Sequence, residues 1–238
     1  LMHDAAHGVL YKSDKLNVLV GQYGLAIFVG ADMPVYRKYH LRHHRHTQQD
    51  KDPDLSLSAP FPITRQSFVR KVLRDLSGMT AIKIRAGQIA AYFNQASAHA
   101  NEDQAFHTKT VALPYVANLM LFGAFYLIGY WWLYFALWLL PLMTGFQLVL
   151  RIRNIAEHAM TSTDDNPLTH ARTTKANLLE RIFLAPYWVN YHVEHHAYMY
   201  VPCWQLKRLH LAMGTHGHWA DMEMKPSYKA VLKTAIIN

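Results

Sequence analysis

The chain has 238 residues, of which 51% are hydrophobic, and a formal net charge of +8. Its mean hydropathy is nevertheless close to zero, as expected for a protein that lies only partly in lipid. The single cysteine, Cys203, excludes an internal disulfide and agrees with a reducing cytosolic compartment. No Gly/Ser-rich or Pro-rich linker interrupts the chain, so we expect a single domain over residues 1–238.

Nine of the 16 histidines fall into four short groups, which we call the histidine boxes. The boxes are His3 and His7 (box one), His40, His43 and His44 (box two), His158 (box three), and His192, His195 and His196 (box four). Because box one stands at the very start of the chain, we expect the natural protein to continue N-terminally of Leu1.

The spacing within the boxes favours two metal ions over one. Residues three and four apart share a helix face, so His3 projects with His7 and His40 with His44. Sequence neighbours diverge by about 100°, so adjacent rings of one box cannot easily converge on a single ion. A zinc ion takes about three or four protein ligands, whereas two six-coordinate irons could share nine imidazoles. Imidazole suits iron, copper and zinc alike, so ligand type alone does not name the metal.

Two segments between the boxes carry apolar residues without reading as full membrane spans. Leu16 to Ala31 is apolar, but one crossing there would place boxes one and two on opposite sides, so we expect a shallow or re-entrant element. Thr64 to Phe93 mixes basic and aliphatic residues. It predicts one or two amphipathic helices on anionic headgroups, with a plain solvated helix as the alternative.

Residues 111–150 contain no Asp, Glu, Lys, Arg or His over 40 positions. A single membrane span needs about 20 apolar residues, so this segment predicts a transmembrane helical hairpin. The turn is expected around Gly129 to Trp132, where consecutive aromatic residues are typical of the membrane interface. A buried hairpin in a soluble protein is the alternative.

The charge distribution predicts the side on which the boxes lie. A double crossing returns the chain to its starting side, so all four boxes share one compartment. All 24 Lys and Arg lie outside the hairpin, 14 before it and 10 after it, and the positive-inside rule assigns that compartment to the cytosol. Residues 1–110 and 151–238 should therefore form a cytosolic cap. Basic charge that flanks a membrane segment in this way argues against nucleic-acid binding.

Carboxylates near the boxes are candidate hydrogen-bond partners of ligating histidines, which usually donate their second N–H to a carboxylate or carbonyl. The neighbours considered are Asp4, Asp50, Asp52, Asp54, Glu157 and Glu194, and the preferred ones are Asp4, Asp54, Glu157 and Glu194. The isolated histidines His99, His107 and His170 have no partner at ligand spacing, and we expect them to be solvated. The same expectation holds for His210, in a polar tail.

These motifs resemble the integral-membrane fatty acid desaturases, whose pattern is HxxxH or HxxxxH, then HxxHH, then a further HxxHH. The matching segments are HDAAH (His3–His7), HLRHH (His40–His44) and HVEHH (His192–His196). RNIAEHAM looks like the additional box of that family, with Asn154 four residues before His158. The flanks HTQQDKDPDL and APYWVNYHVEHH are similar to bacterial members, and the resemblance runs from His3 to about His210.

The resemblance implies an all-α, membrane-embedded helical bundle with a transmembrane hairpin and a histidine-rich helical cap, in a bacterial inner membrane. It implies two Fe ions held by the nine boxed histidines, with Asn154 contacting a metal through water. O2 is the implied co-substrate and a lipid or acyl chain the implied substrate, with no catalytic side chain beyond the metal centre. Family members normally have four transmembrane helices, so a missing pair would precede His3. Without a haem motif or flavin fingerprint, electrons should come from a separate ferredoxin or cytochrome-type donor.

Three other functions remain open at this point. A related membrane hydroxylase or ketolase, inserting oxygen into a lipid or carotenoid, shares the histidine boxes. A histidine-rich metal transporter would also be basic and membrane-spanning, but transport sites lie near the bilayer midplane, and the hairpin has no His, Asp or Glu. A soluble zinc hydrolase is disfavoured by the hairpin and by the surplus of ligands.

Overall fold

A computed structural model describes residues 1–93 and 112–238. This part of the chain is mostly helical, with four two-residue strands, which agrees with the predicted helical class. It separates into two compact units: the first comprises Leu1–His40 and Arg70–Leu148, the second Leu41–Val69 and Val149–Asn238. The single domain expected over residues 1–238 stays a prediction.

The regular elements follow one another closely along the chain. The helices are α1 (Met2–His7), α2 (Asp14–Leu19), α3 (Ile27–Val29), α4 (Met33–His46), α5 (Leu55–Ser58), α6 (Arg65–Leu76), α7 (Met79–Phe93), α8 (Ala112–Leu127), α9 (Trp131–Leu133), α10 (Leu140–Met143), α11 (Gly145–His158), α12 (Leu178–Phe183), α13 (His192–Ala197), α14 (Leu206–Thr215) and α15 (Tyr228–Ala235). The strands are β1 (Ile63–Thr64), β2 (Thr173–Thr174), β3 (Met224–Lys225) and β4 (Ile236–Ile237). Wider π-helical turns at Val20–Ala26 and Tyr134–Leu139 lead into α3 and α10.

In the first unit, three polar or small residues fix the helices that carry boxes one and two. The buried Asn17 side chain donates to the backbone carbonyls of Gly8 and Tyr11, at 3.1 and 2.8 Å, and so closes the loop after α1. A Cβ at Gly21 would come within 2.8 Å of the Ala5 side chain, so glycine allows the π turn to approach α1. The Gln22 side chain accepts a hydrogen bond from the backbone N–H of Met33 at 2.7 Å. This bond satisfies one of the N–H groups that have no partner within the first turn of α4.

The segment predicted to be a transmembrane hairpin is two apolar helical stretches joined by a tight turn. Val111, its predicted first residue, lies outside the described residues. The first stretch, α8, has 16 residues and is about 24 Å long. The second is a helix over Trp131–His158, the one helix within residues 1–93 and 112–238 long and apolar enough to cross a membrane alone. Between them Gly129 has φ +80°, so the turn falls where the sequence predicted it.

The apolar side chains of the second stretch lie mostly at the surface of the described chain. Only 6% of the most apolar stretch of Trp131–His158 is buried, and Leu127 is 86% exposed. Core helices of soluble proteins bury their apolar side chains, and this stretch leaves most of its apolar side chains exposed.

The two other apolar segments also take definite shapes. Asp14–Val29 and Met33–His46 meet at a bend of 91°, which is the geometry of a broken span or a re-entrant loop. Thr64 to Phe93 forms two helices, α6 and α7, separated at Gly78 with φ +79°. The buried Asp75 carboxylate accepts the Thr80 hydroxyl across this break.

The second unit is built around α11 and α13, which carry boxes three and four. Two parallel strand pairs, β1 with β4 and β2 with β3, tie distant segments together, with Thr173 opposite Met224 and Ile63 opposite Ile236. One small core consists of Ile155, Ala159, Val231 and Ala235, and another of Val193, Met213 and Met222. Helix α11 contributes Ile155 to the first of these cores, and α13 contributes Val193 to the second.

Candidate metal centre

The first unit brings box one and the first histidine of box two together. The Nε2 atoms of His3 and His40 lie 2.9 Å apart, and the rings of His7 and His40 have centroids 4.9 Å apart. Ligand atoms of these three histidines lie within 4.8 Å of one another. Box one and His40, which is 33 positions after His7 in the sequence, thus form one group of imidazoles, which we call the first cluster.

The second unit contains a buried group made of His43, His158 and His196. Their ligand atoms lie within 4.8 Å of one another and all three residues are buried. The ring centroids are 4.7 Å apart for His43 and His158 and 5.0 Å apart for His158 and His196. We call this group the second cluster.

The remaining boxed histidines lie beside the second cluster in the same unit. Nε2 of His192 is 2.8 Å from Nε2 of His158 and 3.2 Å from Nε2 of His196. The rings of His44 and His195 pair with centroids 4.6 Å apart. Every boxed histidine therefore has another boxed histidine within its own unit. Asn154, one turn before His158 on α11, has a buried Oδ1 with no hydrogen-bond partner among the described residues.

Hydrogen bonds to the second nitrogen orient two rings of the second cluster. Nδ1 of His43 donates to the Asp52 carboxylate at 2.8 Å. The Thr47 hydroxyl donates to the backbone carbonyl of His43 at 2.8 Å and lies 3.3 Å from Nδ1 of His196, so its oxygen can accept from that ring. Both arrangements place the lone pair on Nε2, the atom that a metal would use.

Burial lowers the pKa of four boxed histidines, His7, His158, His192 and His196, and so favours their neutral form. Burial lowers the pKa of His7 to about 4, while the charge of Asp4 opposes this and Arg37 adds to it. The pKa values of His192 and His196 lie well below the usual value, first because of burial and then because of neighbouring imidazoles. His43 is the exception: burial lowers its pKa, but the hydrogen bond and charge of Asp52 outweigh burial and raise it overall.

This donor set fits a metal ion. Several imidazoles are held close together in a buried setting, where a bound cation would accept their lone pairs. All-nitrogen sets of this kind suit first-row transition metals rather than Mg²⁺ or Ca²⁺.

The predicted carboxylate partners divide into those that reach a box and those that do not. Asp54 lies 3.8 Å from Nδ1 of His43, farther than Asp52. Glu157 binds Arg153 at 3.1 Å and lies 4.0 Å from Nε2 of His192. The negative charge of Asp4 acts on His7 and raises its pKa, against the effect of burial. Glu194 is fully buried but bonds to His210 and to the Thr173 hydroxyl, so its role is to anchor α13.

Two expectations about isolated histidines are wrong. His170 is only 6% exposed, with its ring 5.3 Å from that of His196, because the loop after α11 folds back over the cluster. His210 is partly buried. Its Nδ1 forms a hydrogen bond with the Glu194 carboxylate, and its ring stacks on that of Trp219 with centroids 4.9 Å apart. His99 and His107 lie outside the described residues.

Several positioning residues were missed by sequence reasoning. Thr47 follows His43 by four residues and shares its helix face, a spacing that could have revealed it. The buried Arg172 caps the carboxyl end of α11 by donating to the Ala159 carbonyl at 2.9 Å, and it also pairs with Glu223. This contact fixes the end of the helix at His158. No local pattern marks Arg172, because its partners are brought together by the fold.

The first unit also contains a mostly apolar cavity of about 240 Å³. Its lining includes Phe28, Ala81, Ile84, Leu142 and Met143. At one side the Arg85 guanidinium donates to the carbonyls of Val29 and Gly30, at 2.6 and 2.7 Å. At another side Asn118 links α8 to the next helix by accepting from Tyr134 and Trp138. The cavity exceeds the roughly 150 Å³ that accepts a benzene ring in a dry protein core.

Comparison with known proteins decides the family. The fatty acid desaturase family model matches residues 1–224, nearly the whole chain. The chain belongs to the fatty acid desaturase family. This match confirms the resemblance drawn from the histidine boxes and makes the protein a member of a histidine-box, diiron, membrane-bound family of oxidoreductases.

Three curated relatives of this desaturase-family protein have different activities. Dihydrorhizobitoxine desaturase of Bradyrhizobium elkanii is 28% identical over 87% of the chain and 61% of its own length. Beta-carotene ketolase of Paracoccus sp. (strain PC1) is 23% identical over 87% of the chain and 71% of its own length. Zeaxanthin 4-ketolase of Chlamydomonas reinhardtii is 25% identical over 87% of the chain and 39% of its own length. The chain thus spans only part of each relative. No solved structure matches it.

Proposed function

We propose that the protein is a non-haem diiron oxidoreductase that introduces a double bond into an acyl chain, using O2 and external electrons. The observation that carries this proposal is the second cluster, three buried imidazoles whose ligand atoms lie within 4.8 Å of one another. In this proposal the nine boxed histidines hold two irons, and Asn154 contacts a metal through water. Helix α4 carries ligands for both clusters, His40 for the first and His43 for the second.

Bound iron would supply, with O2, an oxidant able to remove hydrogen from an unactivated methylene, which no acid, base or nucleophile among side chains can do. The overall reaction removes two hydrogens from adjacent carbons. Two electrons and two protons enter from outside, O2 is reduced to two waters, and a carbon–carbon double bond forms.

The chain's own residues would prepare this centre in three ways. Asp52 and Thr47 hold the rings of His43 and His196 with Nε2 toward the cluster. Burial favours the neutral form of His158 and His196, the form in which an imidazole binds a metal. Four carboxylates would support the ligands without binding the metal themselves: Asp4, Asp54, Glu157 and Glu194. Glu194 does so by anchoring α13 through hydrogen bonds to Thr173 and His210.

The membrane arrangement is part of the proposal. The hairpin at 111–150 crosses the bilayer twice, and the boxes lie on the cytosolic face of a bacterial inner membrane. Support comes from 40 consecutive positions without an ionisable side chain, from the exposure of the apolar helix, and from the confinement of Lys and Arg to the flanks.

The cavity of the first unit is the proposed place for an apolar segment of the substrate. Its lining is mostly hydrocarbon and its volume suits a short stretch of chain or a ring. Electrons would come from a separate ferredoxin or cytochrome-type protein.

A second candidate is insertion of oxygen rather than formation of a double bond. Two of the three relatives described above are carotenoid ketolases. Each of them matches 87% of the chain, the same share as the desaturase. The two candidates use the same centre and differ in the fate of the substrate carbon.

Metal analysis and product mass together test the proposal. The purified chain, loaded anaerobically with Fe(II), should bind two irons, and His43→Ala or His158→Ala should lose at least one. The matched control is His216→Ala, since His216 is exposed on the surface. A loss of two mass units from a fed lipid supports desaturation, and a gain of oxygen supports the ketolase or hydroxylase. One zinc per chain, or full turnover by His43→Ala, would refute the diiron assignment.

A further inference from the structure

His170 lies in the loop after α11 and belongs to no histidine box. Its ring is buried, with its centroid 5.3 Å from that of His196 and an interplanar angle of 76°. The members of the second cluster are spaced almost identically, His43 and His196 at 5.1 Å with an angle of 85°. By position, His170 continues the packing of imidazoles at the edge of that cluster.

The backbone around His170 is held on both sides. Its N–H donates to the Asn166 carbonyl at 3.1 Å, and its carbonyl accepts the Thr161 hydroxyl at 3.0 Å. The same hydroxyl bonds to the carbonyl of His158 at 2.9 Å. The loop is thereby attached to the end of α11. The placement of the His170 ring therefore depends on His158, the histidine of box three.

The two ring nitrogens of His170 are in different situations. A backbone hydrogen bond ties the ring to Asp164. Nε2 is buried and finds no hydrogen-bond partner within residues 1–93 and 112–238, which leaves Nδ1 for the bond to Asp164. A ligating imidazole has this arrangement, since one nitrogen donates to a backbone carbonyl and the other presents its lone pair.

A buried imidazole that only filled space would leave Nε2 without a partner, and burying an unpaired polar nitrogen is unfavourable. A metal ion at the second cluster would remove that cost. His43, His158 and His196 provide three ligands, and His192 lies beside them, with its Nε2 2.8 Å from that of His158. Even with His192 included, the count stays below the roughly six positions of an octahedral ion, so a further imidazole can be accommodated.

We propose that His170 is a tenth metal-facing imidazole, an additional ligand of the ion held by His43, His158 and His196. The inference rests on the proposed function, because it requires metal at the second cluster. It assigns the residue to one of the two ions and leaves the first cluster unaffected.

The test uses metal binding rather than turnover. The full chain and its His170→Ala and His170→Gln variants are loaded with Fe(II), and with Co(II) as a spectroscopic probe, and affinity is measured against a competing chelator. The variants should bind one of two ions at least tenfold more weakly, leave the other unchanged, and alter the Co(II) absorption that reports coordination number. Free imidazole should restore the spectrum of His170→Ala, whose deleted ring leaves room for it.

Controls separate this inference from a structural role and from the proposed function. His216→Ala should match the parent in every measurement. Because ligand binding stabilises in proportion to affinity, metal should raise the unfolding temperature less in the His170 variants than in the parent, whatever the variants do to the metal-free protein. His170→Gln retains bulk and decides the outcome if His170→Ala does not fold. An Fe(II) affinity within twofold of the parent's, together with an unchanged Co(II) spectrum, would overturn the ligand role of His170. A parent chain that binds no pair of irons would instead overturn the proposed function.

Discussion

Nδ1 of His43 donates to the Asp52 carboxylate at 2.8 Å, and both side chains are almost completely buried. Asp52 also accepts the backbone N–H groups of Gln48 and Asp54, each at 2.8 Å. The Asp52 carboxylate therefore accepts three hydrogen bonds from nearby residues of the chain. Its bond to Nδ1 leaves Nε2 of His43 as the nitrogen that can bind a metal.

Replacing Asp52 by alanine should weaken iron binding at the second cluster by about 10–100-fold, the usual effect of losing such a partner. The loss arises because the His43 ring is no longer fixed and two backbone donors lose their acceptor. Iron affinity measured by chelator competition checks this. Asp50→Ala, at an exposed position two residues earlier, serves as the control, and equal affinities for the two variants would contradict the role of Asp52.

The metal-free protein should lose stability in acid through His7. Its folded pKa of about 4 lies below the usual histidine value of 6.5, so the unfolded chain binds the proton more readily. The contribution of neutral His7 is present above pH 6.5 and is lost as pH falls toward 4, by about 3 kcal/mol at most.

Urea unfolding of the metal-free chain between pH 7.5 and 4.5 measures this effect. His7→Gln should show a shallower decline than the parent. Other buried histidines, such as His192, contribute in the same direction, so the comparison of the two slopes carries the information. Identical slopes would show that His7 is protonated as easily in the folded state.

Filling the cavity of the first unit should reduce substrate binding without removing iron. Ala81 lines the cavity and is 5% exposed, so a phenylalanine there occupies the space. We expect Ala81→Phe to weaken binding of a long-chain fatty acid by at least tenfold, with iron content unchanged. Ala86→Phe, on the exposed side of the same helix, should bind normally. Unimpaired binding by Ala81→Phe would exclude the cavity as the substrate pocket.

Gly30 should tolerate no side chain. Its φ is +75°, and a Cβ would lie 1.9 Å from the Arg85 guanidinium, which donates to the Val29 and Gly30 carbonyls. Gly30→Ala should destabilise the protein by about 1–3 kcal/mol from backbone strain alone, as measured by denaturant unfolding in detergent. Gly87→Ala, where a Cβ meets nothing within 4 Å, should be neutral or stabilising. A Gly30→Ala variant as stable as the parent would contradict both the backbone strain and the steric conflict with Arg85.

Local features of the fold followed from the sequence because they depend on residues close together in the chain. Helical spacing grouped His3 with His7, and the run of uncharged residues located the apolar helices and their turn at Gly129. In α13 the rings of His195 and His196 differ in orientation by 82°. Both rings contact His44, but only His196 also belongs to the second cluster. That divergence of neighbours is what a turn of about 100° per residue requires.

The sequence by itself determined which residues could ligate metal and which stretch could enter lipid, because periodicity and composition act over a few turns of helix. Only the tertiary structure decided that Asp52 rather than Asp54 holds His43, that Arg172 caps the helix of His158, and that His170 is buried beside His196. Those contacts depend on the path of loops and on pairs as distant as Thr47 and His196, 149 positions apart. Spacing along the chain carries no information about which of several suitable side chains such a path will bring into reach.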